Sequence, residues 1–76
     1  MITVKLFGLL RLESGIKEKQ LEAASVKQVL DKLAQAGINP KDLKGCVIFV
    51  NGENANKRKK LKDGDLVVLM PPVAGG

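Results

Sequence analysis

The sequence predicts an α+β roll, a mixed sheet of four to five strands wrapped around one main helix. Three observations predict it. Residues 25–36 form the one stretch with apolar side chains at helical spacing. Residues 2–6, 46–50 and 66–70 are alternating or continuous apolar runs of strand length. The chain has 76 residues, 45% of them apolar, enough for one core and one domain. That domain spans residues 1–70, and residues 71–76 form a flexible tail ending in Gly-Gly.

The elements follow in order. Ile2-Thr3-Val4-Lys5-Leu6 alternates apolar and polar, the pattern of a strand with one buried face. Phe7 extends it and Gly8 loosens it. Leu9, Leu10 and Leu12 follow around Arg11, and Glu13-Ser14-Gly15 reads as a turn. Lys17–Leu21 is a weak second strand whose charges suit an exposed edge. Ser25 stands three residues before Gln28, the spacing of a capping box. Val26, Val29, Leu30, Leu33 and Ala34 then make one apolar stripe, which predicts a helix over 26–36. Gly37 can end it in the left-handed region, Ile38 can fold back on the stripe, and Pro40 prevents continuation. Residues 39–43 read as a short turn of helix or a bend. Cys46–Val50 is a continuous apolar run, expected for a strand buried on both sides. Asn51-Gly52 is a hairpin turn, and residues 53–56 form a short fourth strand. Lys57-Arg58-Lys59-Lys60 is a charged stretch anchored by Leu61, and Lys62-Asp63-Gly64-Asp65 is a turn. Leu66–Met70 is a last, fully apolar strand.

Composition excludes several function classes. There is no histidine and one cysteine, Cys46, so Ser-His-Asp triads, Cys-His dyads, internal disulfides and Cys/His zinc sites are ruled out. No metal site is expected, since Asp63 and Asp65 alone make a poor one and serve mainly as turn formers. So small a core leaves little stability to lose to a substrate cavity, which argues for a carrier or subunit, not a catalyst on its own. Thirteen basic against eight acidic residues give a charge of +5. Nucleic acid is nevertheless not the expected partner, because the only aromatics are Phe7 and Phe49 and only Arg11 and Arg58 are arginines. No apolar run approaches the roughly 20 residues of a membrane span, and the N-terminus lacks the order of a signal peptide. The expectation is a cytoplasmic protein with no membrane partner.

The tail carries the functional expectation. Pro71-Pro72 stops the last strand and stiffens the exit. Side chains then shrink through Val73 and Ala74 to Gly75 and Gly76. Six extended residues reach ~20 Å, longer than the ~11 Å radius of gyration of such a domain. The α-carboxylate of Gly76 can therefore enter a partner's active site through a channel too narrow for other residues. A carboxylate is a poor acyl donor until activated. ATP activates it as an acyl-adenylate, which a thiol, persulfide or amine can attack.

Leu61–Asp65 with Leu69-Met70-Pro71-Pro72-Val73-Ala74-Gly75-Gly76 closely resembles the family of molybdopterin synthase small subunits, within the ubiquitin-like sulfur carriers of the β-grasp fold. The resemblance covers the whole chain. Val4–Arg11, Ser25–Leu30 and Val50-Asn51-Gly52-Glu53 match its other elements. It departs at Met70, where the family often has an aromatic residue, and at Leu66 and Leu12, where acidic residues are usual.

The resemblance implies a mechanism. An E1-like enzyme adenylates Gly76 with ATP, and no cofactor is bound stably by the carrier itself. A sulfur donor such as a cysteine desulfurase supplies the sulfur for a thiocarboxylate. The large subunit of molybdopterin synthase then takes the tail and transfers sulfur to a pyranopterin precursor of the molybdenum or tungsten cofactor. Gly76 is the reacting group, and Gly75 and Ala74 thread the channel. Pro71, Pro72 and Val73 aim the tail. Phe7, Leu61 and Met70 are candidates for apolar partner contact, and Asp65 for positioning the tail-proximal turn. A thiamine-type sulfur carrier and a ubiquitin-like modifier joined to lysines through Gly76 remain alternatives, since all share the adenylation step. Cys46 is expected to be a small core residue, and the 57–60 run a solvated loop.

Overall fold

Five strands form one sheet in the order β2-β1-β5-β3-β4. They are β1 (Ile2–Leu6), β2 (Glu18–Leu21), β3 (Val47–Val50), β4 (Glu53–Ala55) and β5 (Leu66–Met70). The structure is a computed structural model and describes residues 1–71. β1 and β5 run parallel at the centre, with Val4 opposite Val67 and Leu6 opposite Leu69. Every other neighbouring pair is antiparallel. This is the mixed sheet that the sequence pattern predicts, in the arrangement that the resemblance to the β-grasp carriers implies.

The strand period of two turns Ile2, Val4 and Leu6 of β1, Val67 and Leu69 of β5, and Ile48 and Val50 of β3 to one face. Helix α2 (Val26–Gln35) lays Val26, Val29, Leu30 and Leu33 on that face, and all these residues join a single core cluster. Each such side chain contributes roughly 1.5–3 kcal/mol relative to exposure, which has to hold the fold without an internal disulfide, since there is one cysteine.

The helix boundaries have local causes. Ser25 Oγ accepts from Gln28 N at 3.3 Å. Gln28 Oε1 accepts in return from Ala24 N at 2.7 Å, one residue before the position a standard capping box uses. The next free amides, Val26 N and Lys27 N, donate to the carbonyls of Lys59 and Lys57 at 2.9 and 3.1 Å. The basic loop thus satisfies the helix N-terminus with its backbone while its four side chains stay exposed. At the other end Gly37 N bonds to Ala34 O and Ile38 N to Leu33 O, the paired bonds of a Schellman motif, and Ile38 is buried. The segment expected as a turn or bend at 39–43 is helix α3 (Pro40–Lys44), whose cap Asn39 accepts from Lys41 N at 2.9 Å. No helix among the described residues is long and apolar enough to cross a membrane.

Two expectations are corrected. Residues 8–15 hold more than leucines and a turn: Gly8–Ser14 is helix α1, ended by Gly15. Leu9, Leu10 and Leu12 form no apolar stripe, and only Leu10 is buried, so periodicity gave no sign of it. Tertiary anchoring of Leu10 and local bonds hold the helix. Ser14 Oγ donates to Leu10 O at 2.6 Å and accepts from Ile16 N at 3.0 Å. The second correction concerns β3, which is not buried on both sides, and the fully apolar β5 is like it. Val47, Phe49, Leu66 and Val68 are only half-buried and Met70 is exposed. A single layer of helix covers one face of a sheet, and these residues stand on the other.

Candidate functional site

Because β1 and β5 are parallel, their C-terminal ends reach the same rim of the sheet. Phe7 continues β1 in extended conformation, and its N–H donates to Leu69 O at 3.1 Å. Alternation puts Phe7 and Met70 side by side on the outer face, each 41% exposed. β3 joins from the other side, with Val47 opposite Met70 and Phe49 opposite Val68. Phe7, Met70, Val47, Val68 and Phe49 therefore form an apolar patch at the rim where the chain leaves β5. Lys5, opposite Val68, borders it with Glu18 at 3.8 Å from its Nζ.

Pro71 is the first residue past β5. Its ring lies over Gly8, which has φ +60°. Beside it, Leu9, Leu10, Lys41, Asp42 and Gly45 complete a shallow groove of about 290 Å³. The structure thus brings Phe7, Met70 and Pro71 of the expected site together. Pro72, Val73, Ala74, Gly75 and Gly76 lie outside the described residues.

Two expected site residues are placed elsewhere. Leu61 is 8% exposed and belongs to the core cluster, so its side chain is not offered to a partner. Its N–H donates to Ala24 O at 2.9 Å, which makes it the anchor of the basic loop. Asp65 precedes β5, whereas the tail follows it. At roughly 3.3 Å per residue the strand separates them by about 16 Å, so the Lys62–Asp65 turn that Asp65 does hold lies far from where the tail leaves the sheet.

What Asp65 does is tie the far end of the sheet. It is 9% exposed, accepts Lys62 N at 2.8 Å through Oδ2, and accepts Asn51 Nδ2 at 3.0 Å through Oδ1. Asn51 stands in the left-handed region at φ 52° in the hairpin turn, and its Oδ1 accepts Leu66 N at 3.0 Å. The Lys62 amide, then the Asn51 amide, hold the Asp65 carboxyl below the usual carboxylate range. Burial opposes them only weakly, and Lys62 and Lys59 add attraction. A group lowered on folding stabilises above its unfolded pKa and loses that contribution as pH falls through the folded value. Asp65→Asn should therefore be less stable than wild type at pH 7, with the two proteins converging as the pH drops below about 4. Thermal unfolding from pH 7 to pH 2 checks this; a constant gap over the whole range would rule out the carboxylate charge as the cause.

Asp63 faces elsewhere, to the amino group of Met1. Cys46 is half-buried, and its Sγ donates to Leu43 O at 2.9 Å. Burial pushes its thiol up, against a backbone hydrogen bond and Lys57. A thiol held protonated in this way is a poor nucleophile and suits a core role.

Val47, Phe49 and Val68 of this outer patch are not among the residues that the sequence suggests for partner contact. The clue was there: two strands are apolar on both faces, and one amphipathic helix can cover only one. Gly8 lies against a residue 63 positions away, a closeness that no local pattern announces.

Residues 4–76 match the ThiS family. The molybdopterin synthase sulfur carrier subunit of Chlamydomonas reinhardtii is 35% identical over 81 residues, covering 99% of this chain and 98% of that one. Among solved structures, small archaeal modifier protein 1 of Methanosarcina acetivorans superposes with a TM-score of 0.81 at 29% identity, over 99% of this chain and 95% of that one. The complex of subunits 1 and 2 of molybdopterin-converting factor from Helicobacter pylori gives a TM-score of 0.75 at 29% identity, over 99% and 97%.

Proposed function

The chain belongs to the ThiS family of ubiquitin-like sulfur carriers, and from that premise we propose that it serves as the small, sulfur-donating subunit of a molybdopterin synthase. The observation that carries this reading is the apolar outer patch of Phe7, Val47, Phe49, Val68 and Met70, set at the rim where Pro71 leads out to Gly76. A carrier needs both: a surface that docks and a narrow acyl group that reaches past it. The 35% identity to a molybdopterin synthase sulfur carrier subunit and the likeness to one member of a two-subunit converting factor support the assignment.

The chemistry proceeds in three steps. An E1-like enzyme joins the Gly76 carboxylate to the α-phosphate of ATP and releases pyrophosphate. Sulfide delivered by a donor attacks the acyl carbon and AMP leaves, giving the thiocarboxylate. In the channel of the large subunit the thiocarboxylate sulfur bonds to a carbon of the pyranopterin precursor, and water then cleaves the acyl–sulfur bond, leaving the sulfur on the precursor and returning Gly76 to the carboxylate. The carrier's own part is to dock, to reach and to present one sulfur.

Incubating the purified chain with a cognate E1-like enzyme, ATP and sulfide should replace one oxygen by sulfur in the intact mass. The product should then support dithiolene formation with the large subunit. The likeness to a small archaeal modifier protein favours a second reading, conjugation to lysines through Gly76. Ladders of lysine conjugates in cell extract, without thiocarboxylate, would move the assignment there.

A further inference from the structure

Gly8 and Pro71 approach too closely for any side chain to stand between them. A Cβ built on Gly8 would lie 2.6 Å from Pro71 Cγ and 3.0 Å from Cδ, but 3.9 Å from Cβ. Ordinary carbon contacts lie at about 3.5–4.0 Å, so the pyrrolidine ring fills the space that a methyl group would need. The φ of +60° is a second, independent demand for glycine at this position.

Both partners are held. Just before Gly8, Phe7 N–H is bonded to Leu69 O, which locks the end of β1 to β5. Just after it, α1 is anchored in the core through Leu10. Pro71 has its own φ fixed by the ring. A ring seated on a fixed backbone sets the direction in which the chain leaves the domain.

We propose that Gly8 is a positioning residue, the seat on which Pro71 rests so that the tail leaves the sheet already aimed at a partner's channel. This rests on the reading that Gly76 is delivered to a partner's active site. Five residues follow Pro71. Drawn out to ~17 Å, they carry a tilt of about 10° at Pro71 into a displacement of roughly 3 Å at the carboxylate. Once the tail is threaded, the channel holds its end. The seat therefore acts on how readily the tail enters, and its loss raises KM while leaving kcat nearly unchanged.

The test is a double-mutant cycle read by thiocarboxylate formation against carrier concentration. Gly8→Ala should raise KM about tenfold in the wild-type background, with kcat within about twofold. In the Pro71→Ala background, which lacks Cγ and Cδ, the same change should cost less than about twofold. The backbone strain of alanine at positive φ is present in both backgrounds and cancels. Equal effects in both, or a wild-type KM for Gly8→Ala, would overturn the seat. Should Gly8→Ala fail to fold, Pro71→Gly leaves Gly8 native and removes the ring. It should still raise KM severalfold, and an unchanged KM would count against the proposal. No thiocarboxylate from the wild-type chain would overturn the underlying reading instead, and the seat with it.

Discussion

Deleting Gly76 is expected to reduce thiocarboxylate formation at least about a hundredfold and to leave thermal stability unchanged. The truncated chain still ends in a glycine carboxylate, so its chemistry is intact. What changes is reach. One residue fewer withdraws the reacting carbon by about 3.3–3.6 Å, and misplacement of a reacting group by about 1 Å can already cost a hundredfold. Stability should not move, because among the described residues the core cluster already runs from Ile2 to Leu69. Intact mass after reaction with the activating enzyme measures the first effect, and a melting curve the second. A truncated chain modified at the wild-type rate would show that the acyl group is not the end of this tail.

Val68→Glu should weaken binding to the large subunit about a hundredfold in a domain that still folds. Val68 is half-buried on the outer face of the central strand, between Lys5 on β1 and Phe49 on β3. In the free protein the glutamate faces water and has Lys5 opposite it, so the fold loses little. In a complex that covers the apolar patch, the same carboxylate is desolvated against Phe49 and Met70. An uncompensated polar group at such a site costs roughly 2–3 kcal/mol, or about 30- to 150-fold in affinity. Calorimetric titration of the large subunit reads the effect, with the melting temperature of the free variant as its control. Unchanged affinity would place the docking surface on another face.

Much of the fold was legible in local pattern. The alternation in residues 2–6 fixed which side chains of β1 face inward, and the stripe from Val26 to Ala34 fixed the face of α2. Ser25, Gly37 and Pro40 marked its ends, and Asn51-Gly52 marked the hairpin. Each of these reports a short-range cause: a period, a cap, a turn that only certain residues adopt. The proposed acyl chemistry also rests on local order, that of six adjacent residues, of which Pro72 to Gly76 lie outside the described residues.

Helix α1 was not legible, because a seven-residue helix with one buried leucine has no periodicity to detect. Its stability comes from where Leu10 lands in the core. Leu61 and Asp65 were assigned to the site on family likeness, and the folded chain buries one and carries the other to the opposite end of β5.

The sequence by itself determined the strands, the main helix and the inward faces of β1 and α2, because these follow from residues within a few positions of one another. Only the tertiary structure decided that β1 lies parallel to β5, which brings Phe7 beside Met70 and sets Gly8 beneath Pro71. Those pairs are separated by 63 residues in the chain, and the hydrogen-bond register between two central strands is what makes them neighbours.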